Sequence, residues 1–230
     1  MIMKPAKTPV KAVLFDLDNT LIDFWKMKKA ASRAALDAMI RAGLRTDKRK
    51  AWAILNRLFD RYGIENQSIF DIFLKEVTGG VDVRLLAAGV VAYRRAKELN
   101  MRPYPNVAAT LRRLRRRGLK LAIVTDAPRF QAWSRLFGLG LEKYFDIVVA
   151  LEDTGRKKPS IMPFKAALAK LCVRPEEAAM VGDSVDRDVA GARRLGMRTV
   201  LAKYGHAWKD AGNARADHEI DDIRGILEIV

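Results

Sequence analysis

Ala12-Val13-Leu14-Phe15-Asp16-Leu17-Asp18-Asn19-Thr20-Leu21 runs an apolar stretch straight into two carboxylates one residue apart. Residues 11–17 have the length and partly β-branched content of a buried strand. No comparable run follows between Trp25 and Asn100. There the apolar residues recur at helical spacing, as in Ala51, Trp52, Ile54, Leu55, Leu58 and Phe59, and again from Leu85 to Leu99. Gly43, Gly63, Gly79 and Gly80 punctuate the segment. The pattern predicts an all-helical block, closed by Pro103 and Pro105.

Beyond those prolines, short apolar runs and amphipathic segments alternate. Strands are expected over 119–125, 145–150, 178–181, 199–202 and 218–220. Helices are expected over 106–117, 130–137, 163–171, 186–195 and 223–230. Such alternation requires right-handed crossovers and a parallel sheet covered on both faces. The expected fold is therefore α/β. A Rossmann-like parallel core of residues 1–22 and 102–230 is interrupted after its first strand by an inserted helical cap domain, residues 23–101.

Half of the 230 residues are apolar, enough to bury a sizeable core. No apolar run is long enough to span a bilayer, and Met1 to Pro9 lacks the apolar region of a signal peptide. Cys172 is the single cysteine, which fits a reducing compartment and is read as a helix residue packed in the core. A cytoplasmic protein without membrane contact is the expectation. The net charge of +16 has three readings: anionic substrates, nucleic acid, or a general surface habit. The helix Leu111-Arg112-Arg113-Leu114-Arg115-Arg116-Arg117 is the strongest candidate for a nucleic-acid contact. Leu111 and Leu114 give it a buried stripe, so its arginines read as a solvated face. No helix-turn-helix, zinc spacing or aromatic RNA-binding pattern supports a nucleic-acid-binding protein.

In an open parallel sheet, ligands bind beyond the carboxyl ends of the strands. Asp16, Asp18 and Thr20 follow the first strand, Thr125 and Asp126 the second, Lys157, Lys158 and Pro159 the third, and Asp183, Ser184, Asp186 and Asp188 the fourth. Neighbouring carboxylates repel unless a cation neutralises them. Asp16 with Asp183 therefore invites a hard divalent ion, and Mg²⁺ suits a few carboxylates plus a substrate phosphate. Asp16 can then attack phosphorus as a nucleophile. Asp18, two residues on, is placed to protonate the leaving oxygen and later to activate water. Thr125 offers a hydroxyl to a phosphate oxygen, and Lys158 a positive charge.

These four segments resemble, in their usual order, the motifs of the haloacid dehalogenase (HAD) superfamily: Asp16 to Leu21, Val124-Thr125-Asp126, Lys158-Pro159, and Val181-Gly182-Asp183-Ser184 through Ala192. The resemblance covers Lys11 to about Thr199 and looks like the phosphatase branch with a helical (C1-type) cap. It implies an aspartyl-phosphate on Asp16. It implies a metal held by Asp16, the backbone carbonyl of Asp18 and Asp183, with Asp188 binding metal waters or steadying Lys158. It also implies phosphate binding by Thr125, Lys158 and backbone amides near Asp18 and Asp126. The substrate would be a small phosphorylated metabolite. Two departures stand out: Asp126 occupies a place often held by Asn, and Lys157 competes with Lys158 as the motif lysine.

The same superfamily contains 2-haloacid dehalogenases and phosphomutases. Its dehalogenases carry no Asp two residues after the nucleophile and need no metal, so Asp18 and Asp183 favour phosphoryl transfer, with a phosphomutase as the alternative. Arg129 is a candidate for an anionic substrate tail, and Lys26, Lys28, Lys29 and Arg33 read mostly as solvated. Trp25 and Trp52 read as packing residues, His206 as a surface residue beside the sheet edge, and Trp133 and Trp208 have no catalytic context.

Overall fold

The computed structural model describes residues 8–205 and 214–230. His206 and Trp208 lie outside the described residues. The chain enters through β1 (Ala12–Phe15), whose four side chains are all fully buried. Successive strand residues point to opposite faces, so burial of all four means that both faces are covered.

Two compact units follow from the internal contacts: Phe24–Met101, and the residues up to Asp23 together with Arg102–Val230. The first unit consists of α1 (Phe24–Arg41), α2 (Lys48–Tyr62), α3 (Ile69–Thr78) and α4 (Val83–Asn100). Asp47 caps α2 by accepting from the amides of Arg49 and Lys50, and Asp82 caps α4 by accepting from Arg84 and Leu85. Its core gathers Met39, Leu55, Phe73, Leu74 and Leu85. Gly89 lets α4 approach α1 closely, since a Cβ there would lie 2.1 Å from the Met39 methyl carbon. Lys28 departs from the solvated reading. It is buried, donates to the Tyr93 hydroxyl at 3.0 Å, and stands 4.7 Å from the centre of the Phe59 ring.

The second unit continues with α5 (Val107–Arg116), β2 (Lys120–Val124), α6 (Arg129–Leu139), β3 (Ile147–Val149), α7 (Leu151–Thr154) and α8 (Met162–Leu171). It closes with β4 (Ala178–Gly182), α9 (Ala190–Arg193), β5 (Arg198–Ala202), β6 (His218–Ile220) and α10 (Ile226–Ile229). The strands form one sheet in the order β3-β2-β1-β4-β5-β6, and every neighbouring pair is parallel. The Rossmann-like α/β class is thus borne out. Leu14, Val124, Val149 and Met180 pack on one face beneath Phe164, Ala167, Leu168 and Ala192. On α5, Leu111 and Leu114 are fully buried while Arg112, Arg113, Arg115 and Arg116 are exposed, as for a solvated basic face.

Two local expectations need correction. The helix expected over 186–195 begins as a π-helical turn, Val185–Val189, before α9. Cys172 is exposed rather than in the core. It ends α8 in the left-handed conformation, φ 54°, where its amide closes the last turn and its side chain leaves the buried stripe.

The sheet core rests on a few large side chains. Phe164→Ala should lower unfolding free energy by about 3–5 kcal/mol in denaturant titrations. A loss under about 1 kcal/mol would show that the site collapses around the truncation.

Candidate active site

The sheet order reverses direction between β1 and β4, and the crevice at such a switch point is where open α/β sheets bind ligands. Asp16 leaves the end of β1 with its amide donating to the Val181 carbonyl at 2.9 Å, and Asp183 leaves the end of β4. Asp188 returns to the same point from the π-helical turn, where its Oδ2 accepts from the Ser184 amide at 3.1 Å. Oxygen atoms of Asp16, Asp183 and Asp188 all lie within 4.8 Å of one another, and all three residues are buried.

Lys158 is the cation in this cluster. Its ammonium lies 2.6 Å from Asp16 Oδ1, 2.6 Å from Asp188 Oδ1 and 3.0 Å from the Val124 carbonyl. Burial acts to push its pKa down, but Asp16, Asp188 and Asp126 outweigh that and hold it well above the usual lysine range. Lys157 is exposed, so Lys158 is the lysine brought to the cluster. The Lys158–Pro159 peptide is cis.

Asp126 faces away from this quartet. Its Oδ1 accepts from the Lys158 amide at 2.9 Å, and Arg187 stands 3.7 Å from its Oδ2. An amide oxygen could accept the same bond, so Asp and Asn are interchangeable in that duty. The additional charge of Asp faces Arg187. Thr125 Oγ1 accepts from the Ala127 amide at 3.1 Å, leaving its own O–H to donate. Thr20 reaches Asp16 Oδ2 at a long 3.5 Å.

Asp18 does not join the cluster through its side chain. Its Oδ2 accepts from Arg135 Nη1 at 2.6 Å. Arg135 and Arg187 are the two neighbours of this site that sequence reading passed over. Arg135 had a signal: it shares the buried face of α6 with Ala132 and Leu136, an unusual place for a charge. Arg187 lies in a turn and gave none. Arg129 is engaged elsewhere, since its guanidinium pairs with Asp153 at 3.0 Å and its amide donates to Glu152.

Two glycines make the convergence possible. A Cβ on Gly182 would lie 2.3 Å from the Asp188 carboxyl carbon, and one on Gly205 would lie 1.5 Å from the Asn19 carbonyl oxygen. Between those loops Asn19 takes φ 62°, a conformation Asn tolerates better than most residues.

Three buried carboxylates share one buried ammonium, and Arg187 offsets only part of the excess negative charge. Burial first, then the charges of Asp16 and Asp188, push the Asp183 pKa up to about 8. Burial and Asp16, partly offset by Lys158, push Asp188 up to about 6. A divalent cation supplies the missing charge, and an all-oxygen donor set suits a hard ion. The residues therefore fit such a metal.

A family model, "haloacid dehalogenase-like hydrolase", matches residues 10–196. The glyceraldehyde 3-phosphate phosphatase of Methanopyrus kandleri is 39% identical over 226 residues, covering 96% of this chain and 97% of that one. Its namesake in Methanocaldococcus jannaschii is 35% identical, with 96% and 97% covered. The crystal structure of a HAD phosphatase from Thermococcus onnurineus superposes with a TM-score of 0.70 at 30% identity, covering 96% of this chain and 97% of that one. The chain belongs to the haloacid dehalogenase-like hydrolase family, in its phosphatase branch. Among the described residues no helix is long and apolar enough to cross a membrane.

Without a cation, folded Asp183 and Asp188 hold protons at pH values where the unfolded groups, near 3.8, have lost them. Their contribution to stability is greatest below that value and is lost as pH rises through about 6 to 8. A metal competes with those protons, so the Mg²⁺-induced rise in Tm should grow between roughly pH 5.5 and 8.5. A rise of equal size at both ends would count against the cluster as the metal site. Gly182→Ala should displace Asp188, lower stability by about 1–3 kcal/mol and depress turnover together with metal affinity, both read on the purified variant.

Proposed function

We propose that this hydrolase is a Mg²⁺-dependent phosphatase of small phosphate monoesters, with a triose phosphate such as glyceraldehyde 3-phosphate as substrate. The reading of the reaction rests on Asp16 standing inside a buried acidic cluster that already contains its own lysine. The substrate rests on the names of the relatives, which match this chain over nearly its whole length.

Asp16 and Asp183 would hold the ion, with the Asp18 carbonyl as the resemblance implies. When bound, the ion screens the nucleophile from the phosphate and draws charge from the reacting oxygens. Asp16 attacks phosphorus through a carboxylate oxygen, and the bond from phosphorus to the substrate oxygen breaks. Asp18 gives its proton to that oxygen, so the product leaves as an alcohol. Asp18, now a carboxylate, removes a proton from water as the water oxygen attacks phosphorus. The bond between phosphorus and Asp16 breaks, releasing phosphate and returning both residues to their starting states.

Throughout, Lys158 holds Asp16 in place and offsets charge that builds on the phosphoryl oxygens. Asp188 keeps Lys158 at that post. Thr125 donates its O–H to a phosphoryl oxygen, and backbone amides at Asp18 and Asp126 assist. The acid–base role of Asp18 favours a phosphatase over a dehalogenase, whose halide needs no proton. Cytoplasmic operation fits a metabolite substrate and a single thiol.

Asp16→Asn should reduce phosphate release at least ~1000-fold, as for loss of a nucleophile, without lowering Tm. Wild-type enzyme assayed with Mg²⁺ against a panel of phosphorylated metabolites should give its highest kcat/KM on triose phosphates. Retained activity in the variant would remove Asp16 from its role, and a flat panel would remove the triose assignment while leaving the chemistry.

A further inference from the structure

Arg135 is only 2% exposed, on a helix that begins just past Thr125 and Asp126. Its guanidinium donates to Asp18 Oδ2 at 2.6 Å, across 117 residues of sequence. We propose that Arg135 is the positioning residue of the acid–base carboxylate. The proposal rests on the reading of Asp18 given above.

Asp18 needs such a partner. It lies beyond β1, where the regular ladder has ended and a single bridge to Ile22 is its backbone pairing. Its carboxyl must address the leaving oxygen in one step and a water in the next. A side chain free to rotate would lose most of the advantage of placement. The guanidinium takes Oδ2 as its acceptor and so holds the carboxyl at one end. A charge-assisted bond from a guanidinium that is itself buried restricts rotation of the carboxyl it holds. The guanidinium is itself anchored on α6, the element that follows the phosphate-binding loop.

Stability alone is a poor account of this residue. Replacing a buried ion pair by well-packed apolar groups is often neutral or stabilising. The position lies on the same buried face as Ala132 and Leu136, where an apolar side chain would serve packing better. A charge retained there, aimed at one oxygen of Asp18, is what orientation of that carboxylate requires.

The test compares Arg135→Met, Arg135→Lys, Asp18→Asn and the Asp18→Asn/Arg135→Met pair, each checked for folding by circular dichroism and Tm. With an alkyl phosphate, Arg135→Met should lose about 10- to 100-fold in kcat with KM little changed. With p-nitrophenyl phosphate, whose leaving group needs no proton, the first-turnover burst of nitrophenol should persist while steady turnover falls. Arg135→Lys should be intermediate on the alkyl ester. In the Asp18→Asn background, Arg135→Met should add no further loss. A full additional loss in that background, or an equal loss of the nitrophenol burst, would overturn the proposal. Should Arg135→Met not fold, Arg135→Lys alone and paired with Asp18→Asn makes the same comparison. An Asp18→Asn enzyme with wild-type kinetics would instead sink the acid–base reading and leave the metal and nucleophile assignments standing.

Discussion

The ammonium of Lys158 is the point from which the rest of the site is organised. Three carboxylates cannot share a buried crevice at the edge of a sheet without counter-charge, because desolvation and mutual repulsion both favour protonation. One lysine bonded to Asp16, to Asp188 and to the Val124 carbonyl removes part of that penalty. It also ties the ends of β1 and β2 to the turn after β4. Removing the lysine would leave buried carboxylates with less compensation than the fold was built around. The residual negative charge suits the crevice to a divalent cation.

Supporting features can be ranked by their distance from that ammonium. Asp126 holds the amide of Lys158 and so sets the height at which the side chain enters. Gly182 leaves room for the Asp188 carboxyl, which would otherwise be pushed out of the crevice. Gly205 does the same for the loop at Asn19, and Tyr204 donates to the Thr20 carbonyl at 2.9 Å from the same segment. None of these side chains touches the reacting atoms in the proposed chemistry. Their common effect is to fix loops that carry no regular hydrogen-bond ladder of their own.

The sheet was legible because buried parallel strands are continuous apolar runs, and residues 12–15, 120–124 and 178–182 are such runs. The clustering of Asp16, Lys158 and Asp183 was legible because each follows a strand or its loop, so topology alone brings them to one edge. What escaped depends on side-chain direction. Nothing in the order of residues shows that Asp126 turns to an amide and Arg187. Cys172 was misplaced because helical periodicity gives no warning of where the last turn unwinds. Lys28 was misplaced because a long aliphatic stem can be buried when aromatic rings receive its charge. Arg135 was visible only as an anomaly, a charge among the buried positions of a helix.

Asp16 and Asp18 show why composition and motif cannot by themselves assign roles. They are the same residue type, two positions apart, and their partners differ in kind. Asp16 meets an ammonium inside the acidic cluster, a compact charge that neutralises without dictating the plane of the carboxylate. Asp18 meets a buried guanidinium outside it, through one bond from Nη1 to Oδ2. A nucleophile needs its charge tempered while its oxygen stays free to bond to phosphorus. An acid–base group needs its proton-bearing oxygen aimed first at one acceptor and then at one donor. In the proposed chemistry the environments of two like groups would divide the labour between them. The surplus of basic residues over the whole chain is a separate matter: it shapes the long-range field that an anionic substrate would meet, whereas the proposed chemistry depends on a crevice rich in carboxylates.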